Sequence, residues 1–100
     1  MTDNDMGDAY LRIWDLRERL TLVTGIIRVV AKRIQDYRSR IRLLQQRISA
    51  GSRSLTFLLR YDLEQCQRFY FQWKRYFAFL TTERRGIRRQ IEYLSDDLFW

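Results

Sequence analysis

Apolar residues recur along the first half of the chain with alternating spacings of three and four residues. The series comprises Ile13, Leu16, Leu20, Val23, Ile27, Val30, Ile34, Tyr37, Ile41, Leu44 and Ile48. A mean spacing of about 3.5 residues is the repeat of an α-helix that packs lengthwise against another helix. The pattern therefore predicts a long amphipathic helix from about residue 8 to about residue 48.

The same spacing returns in the second half of the chain and predicts a second helix over about residues 54–96. The series comprises Leu59, Leu63, Cys66, Tyr70, Trp73, Phe77, Leu80, Arg84, Ile87, Ile91, Leu94 and Leu98. Arg84 is its one charged member. We expect the Arg84 guanidinium to reach outward from the apolar interface, towards Glu18 or Asp15.

One short segment has the composition of a turn. The chain contains no proline and only four glycines, so few positions interrupt long helices. Gly51 lies among serines, and we place a turn at about residues 49–53. Two long helices joined by so short a turn fold back on one another. The predicted fold class is all-α, an antiparallel two-helix hairpin of the coiled-coil type.

The predicted organisation is one hairpin domain at residues 9–97, after a flexible acidic N-terminus at residues 1–8. An alternative places a break at residues 82–86, where Thr82 and Gly86 would allow a short third helix to fold back.

Charges on the helix flanks indicate a register for the hairpin. A turn centred on Ala50 places Tyr37 opposite Leu63 in the apolar interface. The same register places Arg40 opposite Asp62 on one flank. On the other flank it sets Arg38 against Arg60, with no acid opposite either. Exposed ion pairs contribute only about 0.2–1 kcal/mol each, so they can select a register but hold little of the fold.

The segment FYFQWKRYFAFL at residues 69–80 carries more aromatic rings than one helix can cover. The surplus rings on one flank are Phe69, Tyr76 and Phe79, and on the same flank the first helix carries Leu22, Ile26 and Val29. We refer to these six residues as the apolar belt. An apolar patch of this size on a small protein often contacts another subunit. The belt therefore predicts a symmetric homodimer in which two hairpins form a four-helix bundle.

Positive charge dominates the composition, with 19 Lys and Arg residues against 12 Asp and Glu residues and a formal net charge of +7. Only Lys32 and Lys74 are lysines, and arginine is the better bidentate partner for phosphate. The candidate nucleic-acid-binding residues, here called the basic ridge, are Arg17, Arg28, Arg38, Arg42, Arg53, Arg60, Arg68, Lys74, Arg75 and Arg88. They predict sequence-independent binding of a phosphate backbone, with duplex RNA as the favoured ligand.

Other uses of these residues stay open. Phe57, Tyr61 and Phe71 alternate with basic residues on the outer face of the second helix, where rings can stack single-stranded bases. The basic ridge could instead be a solvated face, or bind an acidic protein in a structural or adaptor role. Binding to anionic lipid ranks lower, because the apolar and basic flanks lie on opposite sides of the hairpin.

Several classes of chemistry are disfavoured. The chain has no histidine, no glycine-rich phosphate loop and no carboxylate pair on the inner face of either helix. A single cysteine, Cys66, is better explained as a small buried residue than as a nucleophile. We therefore expect a protein that is not an enzyme and that uses no metal or cofactor.

No apolar stretch reaches the roughly 18 residues that a membrane span requires, and the start MTDNDMGD is acidic. We expect an intracellular, cytoplasmic protein, or one inside a viral particle. The inferred architecture is similar to that of small helical dimers that coat duplex RNA, such as viral silencing suppressors. No motif is shared with them, so the similarity is an analogy of architecture.

Overall fold

The structure is a computed structural model that describes residues 3–51 and 53–98, with side chains at 7–51 and 56–96. It contains two helices, α1 at Asp3–Ala50 and α2 at Arg53–Leu98. The helices pack against each other as an antiparallel hairpin, and no strand occurs within the described residues. The predicted fold class is therefore confirmed.

The helices extend further than the sequence pattern indicates. α1 already includes residues 3–8, which were predicted to be flexible. At its other end Ser49 belongs to α1, where its hydroxyl donates a hydrogen bond to the Gln45 carbonyl at 3.0 Å. Because this hydrogen bond satisfies the Ser49 hydroxyl within the helix, the serine does not mark the turn.

α2 continues without interruption through residues 82–86, so the alternative with a third helix is wrong. A glycine inside a helix costs only about 1 kcal/mol relative to alanine, which packing on either side of it can offset. Leu80 and Ile87 supply that packing, being 5% and 6% exposed. Between them Arg84 is half-buried at its predicted position in the apolar series.

The predicted apolar series forms the core. All eleven members in α1 are buried or half-buried, as are all the members in α2 whose side chains are described. The Leu98 side chain lies outside the described residues. The fully buried members are Ile13, Leu16, Ile27, Val30, Leu44, Cys66, Leu80 and Ile87. The packed apolar series is called the apolar seam below. Burial of a large aliphatic side chain stabilises a fold by about 1.5–3 kcal/mol, so this seam is the main source of stability.

The chain divides into two compact units. Unit 1 comprises Met1–Arg28 and Phe79–Trp100, and unit 2 comprises Val29–Ala78. The core of unit 1 includes Ile13, Leu16 and Ile87, whereas that of unit 2 includes Val30 and Cys66. Unit 2 contains the turn and most of the residues predicted to bind nucleic acid.

The predicted register is wrong within unit 2. The Tyr37 ring stacks on Phe69, with centroids 5.9 Å apart, and not on Leu63. Arg60 is the predicted partner of Arg38, but the Arg38 guanidinium donates a hydrogen bond to the Tyr70 phenol oxygen at 3.3 Å. Both observed partners lie about two to three helical turns further along α2 than predicted.

Two physical reasons account for the difference in register. The turn lies after Ala50 and not around it, which shifts the backbone pairing. In addition, Cα–Cβ bonds lean towards the N-terminus of each helix, which is away from the turn in α1 and towards it in α2, so a side chain of α1 meets a residue further along α2 than the backbone symmetry indicates. The exposed ion pairs on which the prediction rested are too weak to oppose this geometry.

Gly51 is the position where the turn requires the absence of a side chain. A Cβ atom added there would lie 2.7 Å from the Arg47 carbonyl oxygen, a backbone atom that cannot move independently. We expect Gly51→Ala to lower the free energy of unfolding by about 1–2 kcal/mol. Urea unfolding followed by circular dichroism measures this change.

Gly86→Ala is the matched control, because a Cβ atom at Gly86 would meet nothing within 4 Å. Alanine has the higher helix propensity, so this variant should raise the free energy of unfolding by about 1 kcal/mol. Equal effects of the two substitutions would contradict the assigned turn.

Candidate nucleic-acid interface

The residues predicted to form the basic ridge are at the surface. All nine whose side chains are described are exposed, and the side chain of Arg53 lies outside the described residues. Arg17, Arg28 and Arg88 belong to unit 1. Unit 2 carries the others with described side chains, which are Arg38, Arg42, Arg60, Arg68, Lys74 and Arg75.

Within unit 2 the structure brings two of these cations together on one tyrosine. Arg38 on α1 donates a hydrogen bond to the Tyr70 phenol oxygen at 3.3 Å. The Lys74 ammonium lies 5.3 Å from the centroid of the same ring. Phe71 meets Tyr70 edge to face at a centroid distance of 5.7 Å. We name Arg38, Tyr70, Phe71 and Lys74 the Tyr70 cluster.

The helical repeat explains how the Tyr70 cluster forms. Tyr70 occupies an apolar seam position and is half-buried, which fixes its ring at the edge of the core. Lys74 follows four residues later and thus lies on the same face of α2. Arg38 directly follows the seam residue Tyr37, so it projects from α1 at the flank of the interface. The seam therefore positions both cations.

The electrostatics of the Tyr70 cluster are dominated by positive charge. The hydrogen bond from Arg38 lowers the pKa of the Tyr70 phenol below its usual value of 10.0. The charges of Arg38 and Lys74 act in the same direction, and burial opposes them. The sequence carries no Asp or Glu three or four residues before or after either cation. No carboxylate on the same helical face therefore offsets the two charges.

This arrangement suits a phosphate group. A guanidinium and an ammonium supply several charge-assisted hydrogen-bond donors. The Tyr70 phenol accepts from Arg38 and retains its own O–H to donate. Beside it the Phe71 ring is 60% exposed and offers a surface on which a base can stack.

The sequence pattern indicates only a core role for Tyr70, so this residue is not among the predicted binding residues. The available signal was the spacing of Tyr70 and Lys74, which favours contact between a cation and a ring one helical turn apart. The part played by Arg38 required the register, which the sequence did not reveal.

The two other rings of the outer face are also exposed. Phe57 is 77% exposed and Tyr61 is 58% exposed, and both belong to α2 in unit 2. Neither ring contributes much to the core at that exposure. They fit the predicted alternation of rings and cations along this face of α2.

The other flank of unit 2 has a different chemistry. The stacked pair of Tyr37 and Phe69 lies here, and the Arg40 guanidinium carbon is 5.8 Å from the Tyr37 ring centroid. Tyr37, Arg40 and Phe69 line an open groove together with Asp62. An acidic residue thus accompanies the arginines of this flank, unlike in the Tyr70 cluster.

The apolar belt is also largely exposed. In unit 1, Leu22 is 66% and Phe79 is 59% exposed, while Ile26 is half-buried. In unit 2 the exposed belt residues are Val29 at 60%, Phe69 at 43% and Tyr76 at 42%. These side chains retain considerable apolar surface in the hairpin.

The described part of the chain contains neither a candidate metal site nor a helix that could span a membrane. No group of three or more Cys, Asp or Glu side chains there is arranged to hold a metal ion. Neither helix, over its described residues, has a segment long and apolar enough to cross a bilayer. Cys66 is 6% exposed, in agreement with its predicted place in the core.

Comparison with protein-family models, with curated proteins and with solved structures gives no match to this chain. Functional conclusions therefore rest on the geometry of the chain itself.

The lowered pKa of Tyr70 gives a test of the cluster. Arg38→Met should raise that pKa towards 10.0, because it removes the hydrogen bond that is the largest cause of the shift. Because the Tyr70 phenol has a lower pKa in the folded protein than in the unfolded chain, folding favours its ionised form. The free energy of unfolding should therefore increase as the pH rises from the lowered pKa towards the unfolded value. Arg38→Met should lose this increase. NMR titration of ring-labelled tyrosine, combined with unfolding at each pH, measures both effects.

Arg42→Met is the matched control, since Arg42 is exposed one turn further along α1 and does not act on Tyr70. A Tyr70 titration that responds equally to both substitutions would contradict the observed hydrogen bond.

Proposed function

We propose that this protein binds nucleic acid through its phosphate backbone, independently of sequence, and acts without catalysis. The observation that supports the proposal best is the Tyr70 cluster. There Arg38 and Lys74 converge on one phenol, at 3.3 Å from its oxygen and 5.3 Å from its ring centroid. Two like charges held this close gain most from a bound anion, which offsets their repulsion.

The surroundings of the cluster extend this argument to a polymer. Unit 2 carries further exposed cations at Arg42, Arg60, Arg68 and Arg75. Several exposed cations can contact several phosphates of one polymer, and each phosphate that is neutralised releases counterions. Binding of this kind is independent of sequence and depends steeply on salt.

Duplex RNA is the ligand we favour. A-form RNA is recognised largely by its shape, through contacts with phosphates and 2′-hydroxyl groups, and a helical hairpin with a basic flank can supply such contacts. The exposed rings of Phe57, Tyr61 and Phe71 make single-stranded RNA the ligand to compare with it, since rings stack on unpaired bases.

We also propose that two hairpins associate through the apolar belt to form a four-helix bundle. Five of the six belt residues are 42–66% exposed in the hairpin, so association would remove apolar surface from water. A dimer would also double the number of basic ridges available to one long polyanion, which strengthens binding through effective concentration.

The test of the proposed function is a fluorescence titration of labelled duplex RNA, duplex DNA and single-stranded RNA at about 50 and 200 mM salt. We expect dissociation constants in the micromolar range or below, with duplex RNA bound most tightly. Arg38→Gln combined with Lys74→Gln should weaken binding about tenfold at the lower salt concentration. The same variant should reduce the slope of log affinity against log salt by about 2 for a duplex.

Arg19→Gln combined with Arg85→Gln removes the same charge from two exposed positions outside the candidate interface and serves as the control. Equal weakening by both double variants would show a general effect of net charge and would refute the assigned site. Absence of binding to all three ligands would make the adaptor reading, with an acidic protein partner, the better one.

The dimer is tested by Ile26→Asp combined with Tyr76→Asp. Buried carboxylates at a subunit interface would be costly, so we expect sedimentation to show monomers in place of dimers. Phe57→Asp combined with Tyr61→Asp places the same charges at two exposed aromatic positions outside the belt and should leave the dimer intact. A belt variant that remains dimeric would refute the proposed interface.

A further inference from the structure

We propose that unit 2 contains a second binding site, an open groove that accepts a small organic anion with an apolar body. The open groove has a volume of about 450 Å³, within the range of about 300–1,000 Å³ typical of small-molecule sites. Its principal lining residues are Tyr37, Arg40, Leu44, Arg47, Cys66 and Phe69. We name it the Tyr37 groove. It shares no residue with the Tyr70 cluster, and this inference does not depend on nucleic-acid binding.

Part of the lining of the groove is apolar. Leu44 and Cys66 line it and are 7% and 6% exposed, so they belong to the packed core. The rings of Tyr37 and Phe69, stacked at an interplanar angle of 28°, supply the aromatic wall. Phe69, which also belongs to the apolar belt, keeps 43% of its surface exposed in the single hairpin, where a flat apolar group could cover it. A ligand that occupies this space would remove apolar surface from water.

The rim of the groove determines the charge of the ligand. Arg40 and Arg47 both line it, and the Arg40 guanidinium carbon lies 5.8 Å from the Tyr37 ring centroid. Asp62 is the one acidic residue of the lining, and Gln65 adds a neutral amide. Two positive charges and one negative charge leave a local surplus of a single positive charge. The complementary ligand is therefore a monoanion, such as an aromatic or acyl carboxylate or sulfonate.

The chemistry of the groove favours such a molecule over a nucleic-acid backbone. A polyanion would bring a series of phosphates past Asp62, and that carboxylate would repel them. A monoanion can place its charge between the arginines and its apolar body against the rings and Leu44. A lining that combines apolar side chains with a few polar groups is typical of small-molecule sites.

The probe for this proposal is 1-anilinonaphthalene-8-sulfonate, an aromatic monoanion whose fluorescence rises in apolar surroundings. We expect saturable binding to the intact protein. Arg40→Gln combined with Arg47→Gln should raise the dissociation constant about tenfold, because charge-assisted hydrogen bonds to the sulfonate are lost. Arg19→Gln combined with Arg85→Gln, which lowers the net charge equally at exposed positions outside the groove, should leave the dissociation constant unchanged.

Cys66 provides a second measurement that locates the bound probe. It is the single cysteine of the chain and lines the groove. Saturating probe should slow alkylation of the thiol by iodoacetamide several-fold, whether the reagent enters through the groove or after local opening. At the same probe concentration, the Arg40 and Arg47 double variant should show less protection.

Three results would overturn the proposal. One is an unchanged dissociation constant in the Arg40 and Arg47 double variant, and another is alkylation of Cys66 at the same rate with and without the probe. The third is equal affinity for the uncharged analogue N-phenyl-1-naphthylamine, which would show a merely apolar surface. The variant of Arg38 and Lys74 should bind the sulfonate normally, so failure of this inference and failure of nucleic-acid binding are distinguishable.

Discussion

Burial of the apolar seam between α1 and α2 is the interaction on which the rest of the structure depends. An isolated helix in water gains little beyond its own hydrogen bonds, and in proteins most helical stability comes from the packing of an amphipathic face. The seam supplies that face with residues such as Val30, which is 1% exposed. Because one face of each helix is committed to the seam, the flanking positions are fixed at its edges. The stability of the seam also offsets the repulsion among the many exposed arginines, which contribute no core of their own.

The two flanks of unit 2 show how the same type of residue acquires different chemistry from its neighbours. Arg38 meets a phenol and lies near a second cation, Lys74, so its charge is available to an external phosphate. Arg40 is only two residues away in sequence but projects to the opposite flank. There it lies beside the Tyr37 ring, in a groove that also contains Asp62. Rotation of about 200° between residues i and i+2 of an α-helix is enough to separate the two environments.

The aromatic segment at residues 69–80 serves three purposes at once. Some of its rings, such as Trp73, are half-buried in the seam. Tyr70 stands at the edge of the core, where it receives Arg38, and Phe69 forms the wall of the groove. Phe79 remains largely exposed and is part of the belt through which we propose association. Packing in the apolar seam thus accounts for only some of the rings in this segment. The exposed surface of the other rings is available for ligands or for a second hairpin.

The sequence by itself determined the two helices, their apolar faces and the exposure of the described residues of the basic ridge, because a spacing of three and four residues leaves only one face of each helix to bury. It also placed a turn at Gly51, directly after the end of α1. What only the tertiary structure decided was the register, and with it the partner of Arg38. A heptad pattern matches itself again after a shift of seven residues, so the apolar series alone cannot distinguish one register from the next. The register instead depends on the turn after Ala50 and on the packing of rings such as Tyr37 and Phe69, which are features of the three-dimensional structure.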